Sequence, residues 1–178
     1  MSKPMDLGVC VKAYDEALAA LVRCIDELHE VGMAAATAYW DFVRREEARR
    51  PGYENRTSLE LSCYRRGNHI EIKWSHIKWF GKTGSRTKVR TPLRRGTETF
   101  SYHENTLKAH AKEWEWDMVK ETEQKMAIIR QSARHVVRAI ISMRSAGKVD
   151  KKNLLGLNWG RDTGGVEEDE HAEIDHET

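Results

Sequence analysis

The sequence has no run of uncharged apolar residues that approaches the ~18 needed to span a membrane as a helix. No apolar segment precedes the first acidic residues of its N-terminus, so no secretory signal is expected. Its three cysteines, Cys10, Cys24 and Cys63, are widely spaced and include no CxxC pair, which argues against a disulfide framework. We expect them to be small, buried and reduced side chains. These absences together predict a cytoplasmic protein that makes no contact with a membrane.

Catalytic and metal-binding motifs are also missing. The segment Gly81-Lys82-Thr83 resembles the end of a phosphate-binding loop, but the glycine required five residues earlier is His76. His29-Glu30 has no second histidine at the spacing of a zinc-protease helix. No Ser/His/Asp or Cys/His arrangement stands out either. We therefore expect no enzyme activity, no cofactor and no metal ion.

What the sequence does have is charge, and it is unevenly distributed. Charged residues make up 33% of the chain and apolar residues 39%, a balance that suggests an elongated helical protein with long solvated faces. The net charge is only +2, yet residues 51–102 carry 11 Lys or Arg against 4 Asp or Glu, whereas residues 149–178 carry 3 against 9. A cationic middle segment and an anionic tail indicate that the middle segment has an anionic partner.

The first predicted element is a long amphipathic helix over residues 4–49. Apolar and small residues recur at alternating steps of four and three from Leu7 to Phe42, and Pro51-Gly52 ends the pattern. Gly32 lies in this seam, either as a close-contact position or as a break. The seam is longer than a small sheet can cover. We therefore expect part of it to pack on a second helix and part on another copy of the chain, in a homodimer.

A second long helix is predicted over residues 104–146, capped by Ser101 or Asn105 and ended by Gly147. An apolar stripe from Leu107 to Met143, at steps of four and three residues with a stutter in this heptad pattern at Met118–Met126, marks the face that it buries. We expect the two helices to pack antiparallel as a hairpin or to be completed by a partner copy.

The chain is divided into one domain, residues 1–150, and a tail, residues 151–178. The tail contains a short apolar island, Leu154–Gly160, which is either a docking motif or a plug over the helix ends. The acidic end, residues 167–178, has seven carboxylates and no Lys or Arg, so we expect it to be disordered.

Between the helices, the pattern changes to a period of two. Residues 57–66 and 69–80 alternate around Gly67-Asn68, which predicts a β-hairpin with a two-residue turn. Thr87–Thr91 is a candidate third strand that Pro92 ends. The predicted fold class is α+β, with two long amphipathic helices flanking a small antiparallel β-sheet.

The second strand of this hairpin changes parity. Ile70, Ile72 and Trp74 alternate in one phase, whereas Ile77 and Trp79 alternate in the other. A β-bulge near Ser75-His76 would bring all five onto the core face. The same bulge would direct three polar residues outward, namely Lys73, His76 and Lys78.

The basic part of this segment is the candidate functional surface. The residues predicted to bind nucleic acid are Arg65, Arg66, Lys73, Lys78, Lys82, Arg86, Lys88, Arg90, Arg94 and Arg95. Such cations attract duplex phosphates through counterion release, and arginines on a two-stranded ribbon can enter a major groove. Two alternatives stay open. Trp74 and Trp79, if exposed, would stack on RNA or another single strand, and an acidic protein would dock on the same surface of a coiled-coil adaptor.

The segments IKWFGKTGSRTKVRTPLRRG (residues 77–96) and LKAHAKEWEWDMVKETE (residues 107–123) resemble accessory proteins of the MobI type. These proteins come from integrative conjugative elements and large conjugative plasmids. The resemblance implies a relaxosome accessory role in plasmid mobilization, in which the protein binds duplex DNA at an origin of transfer and assists a separate relaxase. It supplies no functional residues position by position, so the candidate residues come from the basic segment alone.

Overall fold

The computed structural model describes residues 7–81, 85–96 and 99–157, with side chains described only between residues 12 and 149. The elements, in chain order, are α1 (Leu7–Arg49), β1 (Leu59–Arg66), β2 (His69–Phe80), β3 (Thr87–Pro92), α2 (Glu104–Lys108) and α3 (Trp116–Leu157). Two single turns of 3-10 helix, at Tyr53–Asn55 and Glu113–Glu115, lie between them. The fold is therefore α+β, as the sequence predicted.

Helix α1 is continuous through Gly32, so this glycine is not a break. A Cβ atom at Gly32 would lie 3.2 Å from Sγ of Cys63 on β1 and 3.7 Å from Cδ1 of Ile129 on α3. The glycine therefore allows α1 to approach the sheet and the other long helix at the same level. Of the two sequence interpretations of Gly32, the close contact is confirmed.

The second long helix begins later and ends later than predicted. Residues 104–115 form α2, a turn and a 3-10 turn before α3 starts at Trp116, and His103 caps α2 by accepting a hydrogen bond from the Asn105 backbone N–H. The predicted end at Gly147 is wrong, because α3 continues to Leu157. Gly147 has no heavy atom within 4 Å of where a Cβ would be, so nothing packs against it there.

The sheet has the order β1-β2-β3, and both pairs of strands are antiparallel. Gly67 has a φ of +60° in the two-residue turn between β1 and β2, the conformation that such a hairpin turn requires. The predicted hairpin and the predicted third strand are both confirmed.

The predicted bulge is wrong. β2 pairs with β1 from His69 to His76 and with β3 from Ser75 to Phe80, and both registers run without interruption. Ile77 is consequently on the opposite face of the sheet from Trp74, directly opposite Arg90 of β3. Ile77 is buried but is not part of the helix-side core, and by register it shares its face with Arg90 and Glu60, whose long side chains can cover it.

The main core lies between the sheet, the C-terminal half of α1 and the N-terminal half of α3. Trp74 is at its centre, with no exposed surface, and its ring meets Tyr39 edge-on with centroids 5.0 Å apart. A smaller cluster of Ile25, Ala133 and Ile140 continues between the two long helices. The helices therefore run antiparallel, as expected for a helical hairpin.

The remaining expectations about the fold concern the cysteines, the C-terminal tail and membrane-spanning helices. Cys63 is buried, and burial raises the pKa of its thiol, but Cys24 is exposed on α1, which corrects the expectation that all three cysteines are buried. The acidic end of the tail lies outside the described residues, and the division into domain and tail stays a prediction. None of the helices in the described part of the chain is long and apolar enough to cross a membrane.

Candidate nucleic-acid interface

Strands β2 and β3 extend beyond the end of β1. The pairing of β1 with β2 stops at Leu59 and His76, whereas β2 and β3 stay paired as far as Phe80 and Thr87. Residues 77–80 and 87–90 thus form a two-stranded segment, the β2–β3 ribbon, in which every residue contributed by β3 is exposed.

The ribbon presents cations on both of its faces. By register, Lys78 is on one face, and Lys88 and Arg90 are on the other. Glu60 of β1 binds both cations of the second face, with Oε2 2.6 Å from Nζ of Lys88 and 2.8 Å from Nε of Arg90. Burial raises the pKa of Glu60, but the hydrogen bonds from Arg90 and Lys88 outweigh it and leave the pKa lowered. Glu60 is therefore ionised at neutral pH and offsets part of the ribbon's positive charge.

The turn end of the ribbon combines arginines with exposed aromatic rings. The guanidinium of Arg86 lies 4.4 Å from the ring centroid of Tyr53. Trp79 and Phe80 are 38% and 55% exposed, which corrects the expectation that Trp79 is in the core. A shallow cavity of about 350 Å³ is lined here by Gly52, Tyr53, Arg56, Trp79 and Arg86. Lys82, also predicted to bind nucleic acid, lies outside the described residues.

The opposite end of the sheet carries three of the predicted residues. Arg65 pairs with Asp26 of α1, and its Nε donates a hydrogen bond to the carbonyl oxygen of Gly67 at 2.7 Å. Lys73 pairs with Glu71 on the same strand. Arg66 is exposed. The side chains of Arg65 and Lys73 are thus partly neutralised by carboxylates of this same chain.

The last two predicted residues, Arg94 and Arg95, are neighbours in sequence but line different clefts. Arg95 lines a cleft of about 660 Å³ between β2, the segment after β3 and α3. Two further arginines of α3, Arg134 and Arg138, line the same cleft. We call it the arginine cleft and define it by Lys73, Arg95, Phe100, Arg134 and Arg138.

The sequence interpretation did not include Arg134 and Arg138 among the candidates, although a signal for them exists. Together with Arg130 they are spaced by four residues within a predicted helix, and this spacing places side chains on one face. Their position facing the cationic segment is a tertiary feature that the spacing does not reveal.

A buried ion pair holds the walls of the arginine cleft together. Arg130 donates to both carboxylate oxygens of Glu123, at 2.8 and 3.0 Å, and to the carbonyl oxygen of Phe100 at 2.7 Å. Glu123 also accepts from Nε1 of Trp74 at 2.7 Å and from the backbone N–H of Tyr102 at 2.8 Å. The pair therefore ties α3 to β2 and to the segment that follows β3. Because Trp74 is fully buried in this network, it is not available to stack on bases.

A second buried carboxylate, Glu115, lies just before α3. It accepts hydrogen bonds from the Thr57 hydroxyl at 2.7 and 2.9 Å, from the Lys112 backbone N–H at 2.8 Å and from the Tyr39 hydroxyl at 3.3 Å. It forms no ion pair with any described residue. Burial raises the pKa of Glu115, although these hydrogen bonds work in the opposite direction. Its contacts join α1, the start of β1 and the start of α3, which indicates a structural role.

The imidazoles of His76 and His110 stack with centroids 4.2 Å apart. Burial, then the charges of His110 and Lys78, lower the pKa of His76. Neutral imidazoles are metal ligands, but within the described residues no group of three or more His, Cys, Asp or Glu side chains is arranged to hold a metal ion. The pair serves to join β2 to the segment after α2.

Comparison with known proteins gives one match. A family model described as MobI protein matches residues 28–144, which include the C-terminal half of α1, the whole sheet and the first two thirds of α3. No curated protein and no solved structure matches the chain. The matched region contains the ribbon, the arginine cleft and both buried carboxylates. The chain belongs to the MobI family, and this membership supports an accessory role in conjugative DNA mobilization.

Proposed function

We propose that this chain is a non-catalytic protein that binds duplex DNA at an origin of transfer, as a homodimer, and assists a separate relaxase. Family membership supports the accessory role in mobilization. The observation that carries DNA binding is the β2–β3 ribbon. It is two strands wide, extends beyond β1 and has cations on both faces. A ribbon of this width fits the major groove, which is about 12 Å wide.

The positive charge of the ribbon is adjustable because Glu60 is the only described carboxylate that forms an ion pair with ribbon cations. Phosphates compete with Glu60 for Lys88 and Arg90, which favours ligands that present several phosphates at once. By contrast, Lys78 and Arg86 form no ion pair with any described residue and are available to phosphates directly.

The test is binding of labelled duplexes, one from an origin of transfer and one of shuffled sequence, measured over a range of salt concentrations. Each phosphate contact contributes about 0.9 to the log–log salt slope. Replacing both Lys78 and Arg86 by Gln should therefore flatten the slope by about 1.8. The matched control, Arg23→Gln with Arg45→Gln, also removes two exposed cations without a described ion pair. It should leave the slope unchanged.

The variant Glu60→Gln tests the same surface in the opposite direction. It frees Lys88 and Arg90, so binding to any duplex should tighten and the salt slope should steepen. A wild-type chain that does not bind duplex DNA at low salt would overturn the proposal. Equal changes of the salt slope in the Lys78→Gln, Arg86→Gln variant and in its control would also overturn it.

An acidic protein partner is the competing proposal. It is favoured by one observation: three carboxylates of the chain, Asp26, Glu60 and Glu71, already hold four of the ten candidate cations. The two proposals differ in competition. If DNA is the ligand, an unlabelled origin duplex should displace the labelled duplex at lower concentration than polyglutamate of equal charge. Displacement by polyglutamate at lower concentration than by the origin duplex would favour the coiled-coil adaptor that docks an acidic protein.

A further inference from the structure

The arginine cleft contains more positive charge than the chain itself neutralises. Arg134 and Arg138, on successive turns of α3, form one wall, and Arg95 lies across from them. The only carboxylate among the described residues that line the cleft is Glu71, and it is paired with Lys73. None of the three arginines forms an ion pair with a carboxylate within the described part of the chain, and Glu123, which acts on Arg95 by charge alone, is itself paired with Arg130.

Crowding like charges is unfavourable unless an anion is present. Burial first, and then the positive charge of Arg130, lower the pKa of Arg95, and Arg134 acts in the same direction, whereas Tyr102 and Glu123 oppose these effects without outweighing them. Burial and the two arginine charges disfavour the charged guanidinium of the free protein, and an anion in the cleft would reverse their effect. A fold that keeps three such groups together is therefore suited to a ligand with more than one negative charge.

The shape of the cleft limits the ligand. Its volume of about 660 Å³ is within the range of about 300–1,000 Å³ at which protein cavities hold small ligands. The cleft has walls on three sides, formed by β2, the segment after β3 and α3. A volume of this size suits one backbone with its phosphates rather than the two backbones and stacked base pairs of a duplex.

The cleft also contains an aromatic surface. The guanidinium of Arg134 lies 5.5 Å from the ring centroid of Phe100, which is half-buried. Phe100 also lines the neighbouring cleft of about 840 Å³ that contains Arg94, Gln124 and Gln131. An aromatic ring between two clefts, beside arginines, is the combination with which proteins hold bases and phosphates of unpaired strands.

We propose that the arginine cleft binds the phosphate backbone of single-stranded DNA, with Arg134 and Arg138 on one wall and Arg95 on the other. This inference rests on the proposed DNA-binding function, but it uses a different surface from the β2–β3 ribbon. A single strand becomes available at an origin of transfer once a relaxase has nicked the duplex. The cleft then retains that strand while the ribbon stays on the flanking duplex.

The test uses the full chain and fluorescently labelled oligothymidylate, with anisotropy as the readout. Arg134→Gln with Arg138→Gln should weaken single-strand binding by at least about tenfold, since two charge-assisted hydrogen bonds are lost. The salt slope should fall by about 1.4, at about 0.7 for each phosphate on a single strand. Binding to duplex DNA should change much less. The control is again Arg23→Gln with Arg45→Gln, which should leave both affinities unchanged.

Both replaced arginines are exposed on a helix, and thermal unfolding verifies that the variant is folded. Arg138→Gln alone, which removes no described contact, should give a smaller loss in the same direction.

The inference is overturned if oligothymidylate does not bind, or binds equally to the cleft variant and the wild type, while duplex binding persists. Polyglutamate that binds as tightly, with the same loss in the variant, would overturn it in favour of a protein ligand. Tighter binding of an RNA strand of matched sequence would overturn the assignment to DNA. A wild-type chain that binds oligothymidylate, with the expected loss in the cleft variant, but does not bind duplex DNA would refute the proposed function and leave the cleft assignment supported.

Discussion

Replacing Arg130 by methionine should be among the most destabilising substitutions in the described part of the chain. The Arg130 side chain is only 5% exposed and Glu123 only 7%. Methionine matches the length of arginine and suits a helix, but it leaves the Glu123 carboxylate buried without a counter-charge. Removing one partner of a buried ion pair costs about 3–5 kcal/mol. That is a large part of the about 5–15 kcal/mol that stabilises a typical domain.

The magnitude is checked by urea unfolding at neutral pH, followed by tryptophan fluorescence. Arg138→Met, two turns further along α3, is the matched control, because Arg138 is exposed and makes no described hydrogen bond or ion pair. Its free energy of unfolding should stay within about 0.5 kcal/mol of the wild type.

A double-mutant cycle separates the ion pair from the other contacts. Glu123→Gln alone leaves the buried guanidinium of Arg130 without a counter-charge and should lower the free energy of unfolding by a similar amount. The double variant should cost less than the sum, by about 2–3 kcal/mol, because neither charge is then left unpaired. A loss below about 1 kcal/mol for Arg130→Met, or strictly additive effects, would refute the reasoning.

Three further predictions concern other features of the chain. The raised pKa of Glu115 favours the folded protein only while this carboxyl is protonated, so its contribution is present below about pH 4.3 and is lost as pH rises through the folded pKa. The free energy of unfolding of the wild type minus that of Glu115→Gln should therefore decrease as pH rises from about 4 to 7. A difference that does not change with pH would contradict the assignment. Gly147→Ala should raise the free energy of unfolding by about 0.5–1 kcal/mol, whereas Gly32→Val, next to Cys63, should lower it by about 1–3 kcal/mol in the same urea titration. Deleting residues 166–178 should tighten binding to random-sequence duplex at low salt if the acidic tail competes with phosphates, and equal binding would mean that the tail is only solvated.

Local patterns account for the parts of the fold that the sequence predicted correctly. The heptad seam identified α1, and the alternation around Gly67 identified the hairpin, because both depend on residues close in the chain. The start of α3 was misplaced for the opposite reason. Glu115 suits a helix interior, but here its side chain bonds to Thr57 and Tyr39, which are distant in sequence.

The predicted bulge in β2 is wrong because the two apolar phases of this strand are buried on different faces of the sheet. From sequence, two apolar phases in one strand suggest a single core face. In the fold, Ile77 is buried on the outer face, where Glu60 gathers Lys88 and Arg90. Which apolar residue belongs to which face depends on these cross-strand contacts.

The candidate site was predictable in its composition and not in its geometry. The cationic segment was evident from charge alone. Which of its cations are neutralised depends on carboxylates such as Asp26, distant in sequence. The contribution of Arg134 and Arg138 depends on how α3 packs on the sheet.

The unequal lengths of the sheet and the helices separate the molecule into two electrostatic regions. The sheet meets α1 from Asp26 to Val43, so the segment from Leu7 to Asp26, which packs on α3 from Leu18 onward, continues beyond the sheet for about 25–30 Å at the rise of an α-helix. That distance is several times the Debye length of about 8 Å at physiological ionic strength. Charges at the far end of the two-helix arm therefore contribute almost nothing to the potential at the ribbon. A protein bound to that end, even a strongly acidic one, would leave the affinity of the ribbon for the proposed duplex ligand unchanged. The binding free energy of such a partner and that of the proposed DNA ligand would then be independent of each other, although both surfaces belong to one chain.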